Sequence, residues 1–241
     1  MSSEPVRPSR LFLQGARDTL PLILAAVPFS ILYGVLAKAS GLSAWATIGM
    51  SVLVFAGSSQ FIAITMLASA VAWPAILLTT FFVNLRHLLY AAALVPHVRH
   101  LPGLVKAKIA FWLTDETFAV VSDWLRKNRN QPGLEWYYFG SGLLMYSNWI
   151  FCTWIGMTLG QSLPGMESWG LEVAMIVAFV GIIAPALNSA PMWICAATAS
   201  VSAMLTWGWP NQSGLILSGL TGVIAAVIME IVKDSRARSH S

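Results

Sequence analysis

The sequence predicts an all-α polytopic membrane protein of about eight hydrophobic segments, some of them broken or re-entrant. Three observations carry that expectation. Only 10% of the 241 residues are charged while 57% are hydrophobic, and the mean hydropathy is +0.70. A soluble domain has about 25% charged residues, so too few charges are present to solvate a globular surface. The uncharged runs 19–37, 39–85, 136–166 and 173–229 are each as long as a bilayer crossing or longer. They are continuous rather than alternating in blocks of about ten, which argues against a β-barrel.

The segments follow in order at 19–38, 44–71, 74–95, 107–125, 136–160, 171–187, 191–208 and 213–232, within one domain spanning 1–241. No internal sequence repeat is evident among them. Residues 1–14 are polar and rich in Pro and Ser and form a short cytoplasmic tail; the membrane domain covers 15–235. Arg17-Asp18 abuts the first run, which continues past Pro28 to Ala37, so it is expected to be a retained span and not a cleaved signal. Gly and Pro mark the breaks at Ser40-Gly41, Trp73-Pro74, Pro96, Pro102-Gly103, Pro132-Gly133, Pro164-Gly165, Pro185 to Pro191 and Trp209-Pro210. Trp45, Trp73, Trp136, Trp169, Trp207 and Trp209 lie at segment ends, where an interfacial aromatic belt belongs.

Lys and Arg cluster at Arg7–Arg17, at Arg99–Lys108, at Arg126–Arg129 and at Lys233–Arg238. Such clusters mark cytoplasmic loops beside anionic lipid rather than a nucleic-acid surface. If all eight segments cross, the Arg99–Lys108 loop falls on the wrong side. The conflict disappears if segment 44–71 bends back on itself and segment 107–125 is re-entrant. Both arrangements place the N- and C-termini in the cytoplasm of a bacterial inner membrane.

Three polar constellations interrupt the apolar runs. Gly57-Ser58-Ser59-Gln60 sits mid-segment: Gly frees the backbone, and the Ser and Gln side chains supply donors and acceptors. The alternative is close helix packing with Gln60 bonded to a neighbour. Asn84-Leu85-Arg86-His87 places Arg86 deep in segment three, where a central Arg costs about 2.5–3.5 kcal/mol on insertion scales and needs a partner. Tyr90 lies one turn on; Arg86 snorkelling to the interface, and His87 as a plain hydrogen-bonded residue, are the alternatives. Asp115-Glu116 are adjacent carboxylates between apolar runs, fit to bind an ammonium, take a coupling proton or pair with Arg86, unless they face water. Pro28 is expected to kink the first helix. Asn148 and Asn188 are best explained as packing glue, and Cys152 and Cys195 as small core residues. His97-x-x-His100 lacks acidic or Cys partners, so no metal and no cofactor are expected. No phosphate loop or nucleophile elbow is seen, and no enzymatic activity is expected.

Four of these motifs, in order, resemble a known family. Gly15-Ala16-Arg17-Asp18-Thr19-Leu20-Pro21 leads to Pro28-Phe29 and Tyr33-Gly34. Phe55-Ala56-Gly57-Ser58-Ser59-Gln60-Phe61 follows, then Asn84-Leu85-Arg86-His87 with Leu89-Tyr90, then Leu113-Thr114-Asp115-Glu116. Order and spacing over residues 15 to 125 are similar to the AzlC/YgaZ-type large subunit of the branched-chain amino-acid exporter (LIV-E) family. The resemblance implies a two-component permease with a small hydrophobic AzlD/YgaH-type subunit. It implies export of valine, leucine, isoleucine and sometimes methionine, driven by the proton gradient. Where that family carries Gly-Ala-x-Gln-Phe, this chain has Gly57-Ser58-Ser59-Gln60-Phe61, one hydroxyl more. The substrate-binding or coupling candidates are Gly57, Ser58, Ser59, Gln60, Asn84, Arg86, His87, Tyr90, Asp115 and Glu116. A passive channel or an exporter of another small polar solute is the alternative function.

Overall fold

The computed structural model describes residues 7–128, 132–162, 189–209 and 213–238, together with Val180 and Leu187. The sixth hydrophobic segment apart from Val180 and Leu187, together with Asn188, Trp169, Arg129 and the Pro164-Gly165 break, lies outside the described residues. Within the described part are nine helices and no strand: α1 (Pro8–Ala39), α2 (Ala44–Leu53), α3 (Gly57–Ala68), α4 (Trp73–Val98), α5 (Gly103–Phe111), α6 (Asp115–Lys127), α7 (Leu134–Ser162), α8 (Ala190–Leu205) and α9 (Ser213–Arg238). The chain is an all-α polytopic membrane protein; α1, α4 and α9 each contain a stretch long and apolar enough to cross a bilayer. Helix α1 begins at Pro8, inside the stretch expected to be tail, and Leu11 is already buried. Proline in the first turn gives up no intrahelical bond, which is why a Pro/Ser-rich opening is compatible with helix.

Helices α1 and α7 are parallel and in backbone contact. Gly15 faces Tyr137, Gly140 faces Phe12, Gly156 faces Ile31 and Gly34 faces Thr153. At each of the four glycines a Cβ would overlap a main-chain carbonyl of the other helix. Small residues let two helices approach when lipid provides no hydrophobic drive. The buried Thr19 hydroxyl bridges the pair, 2.7 Å from Gly15 O and 2.7 Å from Ser141 Oγ. The order of contacts rises together along both chains, so α1 and α7 begin on the same face of the membrane, termed the near side.

Helix α4 runs the other way. Its first turns (Ile76) pack with Ala63 and Met66, while its last (Leu94, Val98) join Leu11, Leu134 and Tyr138 at the near side.

The two broken segments are re-entrant hairpins. Helix α5 rises from the near side: Ile109 O accepts from the Tyr138 hydroxyl at 2.7 Å, and Trp112 lies over Gly142. After the break at 112–114, α6 returns, ending with Trp124 stacked on Tyr137 at 4.8 Å. From the opposite side, α2 descends past Tyr33 until Val52 O accepts from Tyr146 at 2.8 Å. After the break at 54–56, α3 turns back, so that Gln60 lies beside Ser51 and Phe61 beside Tyr33. Neither segment crosses, which is the arrangement the basic clusters require.

The result is an internal repeat. Residues 8–68 and 73–127 each form one long helix followed by two half-helices around a three-residue break, in opposite orientations. Tyr33 packs edge-on against Phe61 of α3 at 5.8 Å, and Tyr90 stacks on Phe118 of α6 at 4.4 Å, so the two units share a tyrosine–phenylalanine contact as well. Inverted units of this kind characterise many secondary transporters.

The close contact between α1 and α7 makes a direct prediction. Gly140→Leu or Gly156→Leu is expected to lower stability by about 1–3 kcal/mol or more, because main chain, unlike a flexible side chain, cannot move aside. Gly49→Ala and Gly219→Ala, which meet nothing within 4 Å, are expected to be neutral. Thermal unfolding of the purified variants in detergent checks both.

Candidate functional site

Both hairpin tips end in the middle of the membrane domain, and α4 passes between them. The first residues of α3 and α6 are therefore helix N-termini that meet from opposite sides. Arg86, halfway along α4, joins them. Its Nη2 donates to Ser58 Oγ of α3 at 2.6 Å and lies 3.2 Å from Asp115 Oδ2 of α6. Tyr90, one turn further, donates to Asp115 Oδ1 at 2.6 Å. Ser59 donates to Asn84 Oδ1 at 2.7 Å. The Arg86 and Asp115 side chains are 25% and 15% exposed, so neither is fully enclosed by the chain. Arg86 thus does not snorkel to the interface; it is held inside by partners on two other helices.

The local sequence explains the two tips. Thr114 caps α6 by accepting from Thr117 N, and the Thr117 hydroxyl accepts from Thr114 N in return. That capping box turns the chain sharply after Leu113 and presents Asp115 in the first turn, where the helix dipole favours a negative charge. The start of α3 is different. No side chain caps it, and the preceding Phe55 is held at a φ of +42°, in the left-handed region. A bulky residue there stores strain of about 1–3 kcal/mol, and such strain clusters at ligand sites and switches. Phe55 is fixed by an edge-on contact with Tyr146 at 4.9 Å. Gly57 must be glycine because a Cβ would come 2.6 Å from the Trp149 ring. Tyr146 also contacts Phe111 and Trp112 of the other hairpin, so one residue of α7 touches both tips.

Of the expected site residues, Ser58, Ser59, Asn84, Arg86, Tyr90 and Asp115 come together. Glu116 follows Asp115 in the same turn and is partly buried. His87 sits beside them, its Nδ1 3.1 Å from Asn84 O and its ring 5.9 Å from that of Tyr90. Gln60 does not join Arg86; it turns into α2, where its Nε2 donates to Ser51 Oγ at 3.2 Å. Pro28 lies within α1, which continues through it to Ala39. Asn148 accepts from Cys152 Sγ at 3.5 Å, within its own helix. Tyr146, Trp149, Ser51 and Thr153 are not among the residues the sequence singles out, because one Ser, Thr or aromatic in an apolar run carries no signal of its own.

Polar groups of this region are unevenly satisfied. Among the described residues, Arg86 Nε, Trp112 Nε1, Trp149 Nε1 and Asn148 Nδ2 are buried donors without an acceptor, against one such acceptor, Gln60 Oε1. Nearer the near-side surface, Lys127 and Arg126 hold the exposed Asp123 carboxyl below the usual carboxylate range. Beside it lies a cavity of about 600 Å³ lined by Arg17, Asp18, Asp123, Lys127 and Tyr137, which opens toward that surface.

An ion pair at the junction of two opposed half-helices, carried by an inverted repeat, defines a polytopic membrane protein with a polar centre among its apolar helices. The AzlC protein family model matches residues 21–163, and the chain belongs to the AzlC family. It is 29% identical over 233 residues to the inner membrane protein YgaZ of Escherichia coli K12, covering 94% of this chain and 85% of that protein. It is 34% identical over 160 residues to a membrane protein of Archaeoglobus fulgidus, covering 64% of this chain and 65% of the relative. A branched-chain amino acid transport protein, AzlC, of Bacillus subtilis 168 is 30% identical over 167 residues, covering 68% of this chain and 63% of the relative. No solved structure matches the chain.

The geometry predicts how the pair responds to substitution. Arg86→Met leaves Asp115 without its cation and is expected to lower stability by about 1–3 kcal/mol, less than for a fully buried pair because both groups are partly exposed. Adding Asp115→Leu removes the orphaned charge and is expected to recover most of that loss without recovering function. A double-mutant cycle of thermal unfolding measures this coupling.

Proposed function

We propose that this chain is a secondary transporter that exports branched-chain amino acids in exchange for protons. The observation that carries the reading is Arg86 of α4 bonded at once to Ser58 at the start of α3 and to Asp115 at the start of α6. A zwitterion needs a donor set for its carboxylate and an anion for its ammonium. The uncapped N-terminus of α3 beside Arg86 supplies the first, since free helix N–H groups and a guanidinium both favour an anion. The excess of unpaired buried donors around the tips favours the same ligand. Asp115 supplies the second.

A proton and the substrate ammonium compete for the Asp115 carboxylate, so binding of one displaces the other. Proton and substrate therefore bind in turn, and the inverted repeat offers the two-sided access that exchange requires. The name of the Bacillus relative supports a branched-chain substrate.

The near side is assigned to the cytoplasm, because Arg10, Arg17, Arg99, Lys106, Lys108, Arg126 and Lys127 all lie there given the helix directions. The N-terminus is cytoplasmic on that assignment, and the Lys233–Arg238 cluster supports a cytoplasmic C-terminus as well. The resemblance to two-component exporters supports a small hydrophobic AzlD/YgaH-type subunit as partner. A second reading, a passive channel, is favoured by the opposed half-helix N-termini, which also line selective pores.

Purified chain in liposomes, with and without the small subunit, is expected to move labelled valine along an imposed pH gradient. Arg86→Ala and Asp115→Asn are each expected to abolish the flux driven by the pH gradient. Flux that survives Asp115→Asn and ignores pH identifies the channel instead. In a chain without Cys152 and Cys195, cysteines at positions 41 and 70 are expected to react with an impermeant maleimide from outside the cell. Cysteines at 103 and 127 are expected to react only after the membrane is opened. Labelling of 103 from outside contradicts the re-entrant assignment of α2 and α3, and labelling of 127 alone from outside contradicts that of α5 and α6.

A further inference from the structure

The first turn of α3 faces two ways. Ser58 and Ser59 look toward α4, whereas Gln60 points into a separate cluster enclosed by α1, α2, α3 and α7. There Tyr33, Thr47, Ser51, Gln60 and Thr153 are all 0% exposed. The Gln60 amide nitrogen is 3.2 Å from Ser51 Oγ, Ser51 Oγ is 3.1 Å from Thr153 Oγ1, and the Tyr33 hydroxyl is 3.5 Å from Thr47 O. These five oxygen-bearing groups come from four helices and include no ionisable acid or base of the Asp, Glu, His, Lys or Arg type.

Two features mark the cluster as more than helix glue. The two oxygen–oxygen separations are long, since O–H···O bonds centre on about 2.7–2.8 Å. Bonds at the Arg86 centre and between Thr19 and Ser141 reach 2.6–2.7 Å in the same molecule. Gln60 turns its amide nitrogen toward Ser51 and leaves Oε1 buried without a donor, and turning the amide over exchanges the two and brings that unpaired oxygen to Ser51. Oxygens spaced too widely to bond one another well, with a lone pair left over, suit a shared positive centre.

The position favours a cation too. Ser51 lies in the last turn of α2, whose carbonyl end carries partial negative charge at mid-membrane. Half-helix C-termini and neutral oxygens hold sodium in membrane transporters. A divalent ion draws carboxylates around it to offset its dehydration, and none is part of this cluster.

We propose that Tyr33 OH, Thr47 O, Ser51 Oγ and Thr153 Oγ1, with Gln60 Oε1 once its amide is turned over, form a binding site for one monovalent cation such as sodium. It is distinct from the Arg86–Asp115 centre but shares the first turn of α3 with it. An ion drawing in Gln60 moves the turn that carries Ser58 and Ser59, so occupancy here is felt at the ion pair.

Equilibrium binding of radioactive sodium to the purified full chain in nanodiscs, without any amino acid present, tests the site independently of what is transported. Saturable binding of one ion per chain, displaced by excess unlabelled sodium but not by choline, is expected. Thr153→Val and Gln60→Leu are expected to weaken it by about tenfold or more, and Thr153→Ser, which keeps the oxygen, to retain it. Thermal unfolding of each variant in choline shows that it is folded. Absence of saturable binding to the wild-type chain, or binding unchanged in both Thr153→Val and Gln60→Leu, overturns the proposal and leaves a structural network only.

Discussion

One side chain holds the centre of this molecule together. Arg86 cannot sit at mid-membrane alone, and its position halfway along α4 leaves it no interface to reach. The two hairpin tips answer that need from opposite sides, one with a hydroxyl from Ser58 and the other with the Asp115 carboxylate. Each tip in turn needs Arg86. Asp115 is an acid in an apolar surround, and the start of α3 is an uncapped helix end. The three elements are thus mutually compensating, and none of them is stable at that depth without the others.

Around this centre the fold divides the work. Helices α1 and α7 are fused along their length by glycines that admit main chain to main chain, a contact with little freedom to adjust. The hairpins and α4 are joined to that pair through aromatic rings and hydroxyls, contacts that can slide and re-form. Tyr146 is the clearest example, bonded to one hairpin at Val52 O and packed against the other at Phe111 and Trp112. The strained Phe55 lies where the outer hairpin turns. A rigid pair carrying two adjustable re-entrant elements is a frame suited to exposing one polar centre to either side in turn.

Much of this is legible in the order of the amino acids. Arg86, Asp115 and the Gly57–Gln60 break stand out because each violates the apolar rule of its surroundings, and a violation at membrane depth demands a partner. The basic clusters at Arg99–Lys108 and Arg126 demand that two segments fold back, and they do. Gln60 parts from Ser58 and Ser59 because neighbours in sequence share a helix turn but not a direction: the serines face α4 while Gln60 faces α2. The repeat is hidden in the sequence because its two units share geometry, not residues; only the Tyr33–Phe61 and Tyr90–Phe118 contacts echo one another. Ser51, Thr153 and Thr19 give no signal because a lone hydroxyl can satisfy itself on its own helix.

Composition and the cost of an unpaired charge in hydrocarbon suffice to set the solvent, the helical class and which polar groups must be hidden. Both are properties of the chain that need no knowledge of which segment meets which. Pairing belongs to the tertiary structure. That α1 lies parallel to α7, that two hairpins meet tip to tip, and that Arg86 rather than Gln60 spans the gap all depend on contacts between residues far apart in the chain. Their energies come from packing and hydrogen-bond geometry, which no local pattern records.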